Sequence, residues 1–293
     1  VAGPKAGAKA LLIPVLGLLA AMASFQLGAS FAKRMFPMVG APGAAALRIL
    51  ASAIMLALAR RPWRGLGPSG PWGPVVAYGV TLGTMNTLFY MSLRTVPLGI
   101  AVAIEFIGPL GVAMAASRRP LDLAWVALAA AGLLLLLPLG LGGPRIDVAG
   151  ALLALAAGGC WALYIIFGRR AGHDHGSNAA GLGVIIAALI FVPPQIVIQG
   201  AGLFRPRAIP LALIVGLLSS ALPYSLEMFA LTRMPTRLFG TLMSLEPAVG
   251  ALAGAALMGQ DLAPIQWGGL VAVMAASAGA ALTGAIQPET PTE

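Results

Sequence analysis

The chain has 293 residues, 59% of them hydrophobic and only 9% charged, with a mean hydropathy of +0.93. So apolar a sequence cannot present an ordinary water-soluble surface, and it predicts a polytopic membrane protein. The net charge of +9 and pI near 10.8 raise the question of nucleic acid, but the basic residues come in ones, twos and threes between apolar runs, which makes the membrane surface their partner and excludes nucleic acid.

The N-terminal stretch VAGPKAGAKALLIPVLGLLAAMASF has the basic start and apolar core of a signal peptide, and an AMA before Ser24 that mimics a cleavage site. It reads instead as a first transmembrane helix, because nine more such segments follow. A membrane helix needs about 20 mostly apolar residues. Cutting the chain at its basic, Pro and Gly clusters leaves windows at about 10–32, 41–59, 72–93, 98–117, 122–140, 148–167, 179–199, 209–230, 238–258 and 265–286. The cuts KRMFP, RRPWRGLGPSGP, RTVP, SRRP, GGPRID, GRRAGHDHGSN, RPRAIP and TRMPTR each join charge to a helix breaker. Nine spans would follow if RTVPLG failed to break its run, but 98–117 is long enough to cross alone. The tail QPETPTE reads as a frayed end.

Basic residues in alternate loops set the direction. Lys5, Lys9, Arg60, Arg61, Arg64, Arg118, Arg119, Arg169, Arg170, Arg233 and Arg237 fall on the N-terminal side, and Lys33, Arg34, Arg94, Arg145, Arg205 and Arg207 on the other. Eleven against six predicts that both termini are cytoplasmic.

Laid on itself at an offset of 138, the chain superimposes Pro97 on Pro235 and Pro109 on Pro247. Near offset 136, Lys33 and Arg34 fall on Arg169 and Arg170. Five spans per half is an odd number, so the second half enters the membrane from the opposite side. The expected fold is therefore all-α, with ten transmembrane helices in two inverted five-helix repeats, residues 1–145 and 146–293. Inverted repeats are the architecture of secondary transporters, with binding near the midplane.

A charge at the centre of a membrane helix costs about 2.5–3.5 kcal/mol on insertion scales, so the few present carry information. They are Arg48 in the second window, Glu105 in the fourth, Glu227 near the end of the eighth and Glu246 in the ninth. In the repeat alignment Glu246 lies three positions from the equivalent of Glu105, on the same helical face. Both are expected to face a cavity between the halves, as substrate or proton-coupling groups. Arg48 is a candidate ion partner for Glu105, or a clamp for a substrate carboxylate. Structural ion pairs are the competing reading, and for Glu227 snorkelling to the interface is preferred.

Pro109, Pro223 and Pro247 interrupt three windows; each removes a backbone donor and loosens a carbonyl of the preceding turn, making a kink, a hinge or a source of binding groups. Asn86 and Tyr224 align at the repeat offset. With Tyr90, Trp161, Tyr164, Ser219 and Ser220 they complete the candidate substrate-binding set, as hydrogen-bonding groups and an aromatic wall. Trp63, Trp72, Trp125 and Trp267 read as interfacial belt residues. Small residues at four-residue spacing, Gly268, Ala272, Ala276, Ala280 and Gly284 in the last window and Ala20, Ser24 and Gly28 in the first, read as packing seams within the bundle or between protomers. Cys160, the lone cysteine, excludes an intramolecular disulfide. His173, Asp174 and His175 in a loop are too few and too local for a persuasive metal site. No phosphate-binding loop and no Ser, His, Asp constellation at one depth is present, so neither cofactor, metal nor catalytic residue is expected.

The blocks AMASFQLGASFAKRMFPMVGAPGAAALR, FYMSLRTVPLGIAVAIEFIGPL, ASRRPLDLAWVALA, GCWALYIIFGRRAG and SSALPYSLEMFALTRMPTRLFGTLMSLEPA together resemble the EamA branch of the drug/metabolite transporter superfamily, over nearly the whole chain. An Arg in the second span and Glu-Pro in the ninth recur widely in that branch; the PYSLEM, ALTRMPTRLFGTLMS and VPLGIAVAIEF blocks are more particular, and resemble its exporters of threonine and homoserine. The resemblance implies a multi-pass protein of the bacterial inner membrane that exports small amino acids by secondary transport driven by the proton-motive force. The expected partners are the amino-acid substrate, the proton as co-substrate and membrane lipid, in a monomer or homodimer. The alternatives are a broader exporter of metabolites, drugs or purines and, from another class, a passive channel, for which the polar residues are too sparse to make a continuous stripe.

Overall fold

Gly40 turns the chain for the first time. The computed structural model, which describes residues 8–65, 71–115, 120–136, 147–175, 178–231, 233–234 and 236–284, carries helix α1 (Ala8–Arg60) through the first two apolar windows, with non-helical torsions only at Gly40, φ 65° and ψ 169°. That region of backbone space is essentially restricted to glycine. The expected break at KRMFP is thus moved: Lys33, Arg34 and Pro37 are still helical, and the corner comes where a residue without Cβ permits it. Pro42 follows in the first turn of the second arm, where a missing N–H costs nothing.

The remaining helices are α2 (Trp72–Ser92), α3 (Leu98–Glu105), α4 (Ile107–Ala115), α5 (Pro120–Leu136), α6 (Val148–His175), α7 (Asn178–Gln199), α8 (Ala208–Gly216), α9 (Leu222–Leu231), α10 (Thr236–Met243), α11 (Glu246–Met258) and α12 (Pro264–Gly284). Among the described residues there is no strand. Three helical stretches are long and apolar enough to cross a membrane, Leu11–Ala59, Val148–His175 and Asn178–Phe204; Leu98–Val112, Leu123–Leu136, Ala208–Ser220 and Glu246–Met258 are apolar but shorter. The boundary between residues 145 and 146 and the tail QPETPTE lie outside the described residues. His173 and His175 stand in the last turn of α6 rather than in a loop.

Three windows are not continuous helices. The fourth divides at Phe106 into α3 and α4, the ninth at Ser244 and Leu245 into α10 and α11, and the eighth passes from α8 through a π-helical turn, Leu217–Ala221, into α9. Each interruption lies just ahead of one of the in-span prolines, Pro109, Pro247 and Pro223. Proline has no N–H to continue the ladder and suits a helix start, where Pro247 stands in α11.

α2 packs along α6, α5 along α12, α3 against α11, and α1 against α7, α8 and α9. The α5–α12 contact is close because it is made by glycine on both sides: a Cβ on Gly132 would lie 2.9 Å from the Gly269 carbonyl oxygen, and one on Gly269 would lie 2.7 Å from that of Gly132. Ala272 and the fully buried Ala276 continue this face, whereas a Cβ on Gly268 would meet nothing. Gly269 rather than Gly268 therefore joins Ala272 and Ala276 in the seam, since 3.6 residues per turn rotates Gly268 out of contact, and the side-chain positions of Ala280 and Gly284 lie outside the described residues. On α1, Ala20 is exposed while Ser24 and Gly28 seat the π-helical turn. Trp63, Trp72 and Trp267 are exposed, but Trp125 lies against Gly279 of α12.

Candidate functional site

A cavity of about 300 Å³ lies where the interrupted helices meet. It is lined from α1 by Phe25, Gln26, Ala29 and Arg48, from α2 by Met85, Asn86, Phe89 and Tyr90, from α3 by Val102 and Glu105, and from α6 by Trp161 and Tyr164. Ser219 of the π-helical turn, Glu227 of α9, Phe239 and Met243 of α10 and Glu246 of α11 complete it. That volume is at the lower end of small-molecule sites.

Eight of the ten residues predicted from sequence meet here: Arg48, Asn86, Tyr90, Glu105, Trp161, Tyr164, Ser219 and Glu246. Ser220 does not line the cavity; its hydroxyl is paired with that of Ser52 at 2.8 Å, behind the wall. Tyr224 is part of α9, but its side chain lies outside the described residues. Glu227 is corrected: it lines the cavity, although its place near a helix end suggested an interfacial charge. Gln26, buried in mid-span, also lines the cavity; an uncharged side chain does not stand out from its apolar neighbours as the four charges do, and its amide in an apolar window is the signal the sequence carries.

Arg48 is held at the second arm of α1. It donates through Nη1 to the side-chain oxygen of Asn86 and through Nη2 to the carbonyl of Ser219, 3.2 Å away, and its guanidinium carbon stands 5.6 Å from the centre of the Tyr90 ring. Asn86 is fixed in turn by donating to the Leu82 carbonyl at 2.8 Å. The expected Arg48–Glu105 pair is not formed; among the described residues no carboxylate makes an ion pair with Arg48. The cavity thus sets one guanidinium against three carboxylates, of which Glu105 and Glu246 are buried. Glu246 Oε2 is buried with no hydrogen-bond partner among the described residues. Buried polar atoms are nearly always paired, and this one faces the cavity.

The prolines bear on the same space. In α-helical register the N–H at 109, 223 or 247 would bond the carbonyl of Glu105, Ser219 or Met243, and all three of those residues line the cavity. The Glu105 carbonyl is instead covered by α6, where a Cβ on Gly158 would come within 2.5 Å of it. Aromatic contacts stiffen the wall: Trp161 meets Phe106, at the break, edge-on at 5.6 Å, and Tyr164 stacks on Tyr78 at 4.7 Å with their hydroxyls 3.0 Å apart. His173 and Asp174, 3.1 Å apart, are remote from this site, and among the described residues no group of three His, Cys, Asp or Glu is placed to hold a metal ion.

The model of the EamA-like transporter family matches residues 148–282. The chain is 54% identical over 271 residues to the threonine/homoserine exporter RhtA of Escherichia coli, covering 92% of each chain, and 52% identical over 277 residues to that of Salmonella typhimurium, covering 94% of each. A solved crystal structure of a protein with 21% sequence identity matches in fold with a TM-score of 0.56, over 95% of this chain and 98% of that one. On its sequence identity to these transporters over almost its whole length, the chain belongs to the EamA-like transporter family.

Proposed function

We propose that this protein exports threonine, homoserine and similar small amino acids across the bacterial inner membrane, binding them in the cavity around Arg48. The observation that carries this is the identity to two threonine/homoserine exporters over nine-tenths of the chain. The cavity chemistry agrees with it. A zwitterion needs a cation for its carboxylate and an anion for its ammonium; Arg48 faces the first, and Glu105 and Glu246 the second.

The mechanism is alternating access between two inverted five-span halves, residues 1–145 and 146–293. Support comes from the interruptions at Phe106 and at Ser244, separated by the same 138 residues as Pro97 and Pro235. The contact of α5 with α12 joins equivalent helices of the two halves, in keeping with a pseudo-two-fold axis between them. Both termini face the cytoplasm on the bias of basic residues. Glu105 and Glu246 couple transport to the proton gradient.

Purified protein in liposomes is expected to accumulate labelled threonine or homoserine against its gradient when a proton gradient is imposed. Downhill movement only, or no movement across a wide panel of amino acids, would overturn the reading.

A further inference from the structure

The hydrogen-bond ladder slips at residues 217–221. The N–H of Leu222 bonds the Leu217 carbonyl, one residue further back than in an α-helix. The Leu218 carbonyl accepts instead from Ser24 Oγ of α1 at 2.7 Å. Ser220 Oγ is paired with Ser52. The Ser219 side chain packs on Gly28, where any Cβ would collide with it at 2.1 Å. Residue 223, whose N–H would reach the Ser219 carbonyl in α-helical register, is a proline. What meets that carbonyl is Arg48 Nη2, inside the cavity.

A guanidinium prefers a carboxylate to a neutral carbonyl, and it holds one with two parallel bonds. A bound amino-acid carboxylate therefore draws both η nitrogens of Arg48 from Asn86 and Ser219, leaving two acceptors to be satisfied. Threonine and homoserine bring two donor groups besides the carboxylate, an ammonium and a hydroxyl, so acceptors and donors balance.

We propose that the main-chain carbonyl of Ser219, exposed by Pro223 and covered by Arg48 until substrate arrives, accepts the hydroxyl of the substrate and sets the preference for hydroxyl-bearing amino acids. Asn86 Oδ1 then takes the ammonium together with the carboxylates. The assignment rests on the cavity being the substrate site. It makes Pro223 a specificity determinant without touching the substrate: a donor at 223 would compete for the carbonyl the hydroxyl needs.

The experiment compares threonine with 2-aminobutyrate, the same carbon skeleton without a hydroxyl, as competitors of labelled threonine counterflow in liposomes. Wild type is expected to prefer threonine by at least about tenfold, because the hydroxyl-free analogue leaves the carbonyl unpaired. Pro223→Ala, which restores the N–H, is expected to reduce that preference to within about threefold of unity. An unchanged preference in Pro223→Ala, or no preference in a wild type that does transport threonine, overturns the proposal and leaves the exporter reading standing. A wild type that moves neither amino acid overturns the exporter reading itself. Should Pro223→Ala fail to fold, wild type labelled with carbonyl-¹³C serine serves: threonine must shift an infrared band that is lost in Ser219→Ala, and 2-aminobutyrate must not. Equal shifts with both overturn the proposal.

Discussion

Arg48 of α1 reaches across the cavity to the main-chain carbonyl of Ser219, 3.2 Å away, in a helical turn that has slipped out of α register. A charged side chain thereby joins two sequence-distant segments at the place proposed here for a substrate carboxylate, and its removal acts on both.

Arg48→Lys keeps the charge but replaces a planar fork by a single centre, which cannot serve Asn86 and the Ser219 carbonyl together. Threonine counterflow is expected to fall by at least about tenfold, the weight of one charge-assisted hydrogen bond. Retention of full counterflow would remove Arg48 from the binding role.

Glu246→Gln removes a buried carboxylate, one of whose oxygens has no hydrogen-bond partner among the described residues, and keeps the shape of the side chain. Accumulation of threonine driven by a pH gradient is expected to be lost. Glu105→Gln is expected to do the same. Each is read as the ratio of internal to external threonine at steady state; a variant that still concentrates threonine under the gradient is not a coupling residue.

Gly158→Ala and Gly159→Ala separate packing from helix propensity on neighbouring residues of α6. A methyl at 158 would stand 2.5 Å from the Glu105 carbonyl oxygen, a backbone atom that cannot step aside, while one at 159 meets nothing within 4 Å. Gly158→Ala is expected to cost about 1–3 kcal/mol. Gly159→Ala is expected to leave stability equal or raise it by about 0.5–1 kcal/mol. Thermal unfolding of both variants in detergent gives the comparison.

Gly40→Ala places a Cβ on a residue at φ 65° and ψ 169°, a conformation that other residues adopt only under strain of about 1–3 kcal/mol. A lower melting temperature with wild-type substrate preference is the expected outcome, because Gly40 is not among the residues lining the cavity. An unchanged melting temperature would mean that the corner is not held in this conformation.

Much of the chain was legible before its structure. Apolar runs and their Pro, Gly and basic punctuation locate helices because transfer of a side chain out of water is a local free energy, summed residue by residue along the sequence. The same reasoning isolates Arg48, Glu105 and Glu246, since a charge among so many apolar neighbours is costly wherever the helix faces. The family resemblance was likewise carried by contiguous blocks of residues. The corner at Gly40 rather than at KRMFP, the divided windows at Phe106 and Ser244, and the face 269, 272 and 276 of α12 were not legible, because each depends on what packs opposite.

Composition and pattern are enough to make this an apolar, helical, transporter-like chain with a few charges inside its apolar windows. Which of those charges share a cavity, that Glu227 is among them, and that Arg48 turns to Asn86 and the Ser219 carbonyl rather than to Glu105 follow from how the helices pack. The reason is one of range: hydropathy and proline act on the residue that carries them, whereas the direction of a side chain is set by the rotation of its helix against neighbours up to 171 positions away, the distance in sequence from Arg48 to Ser219.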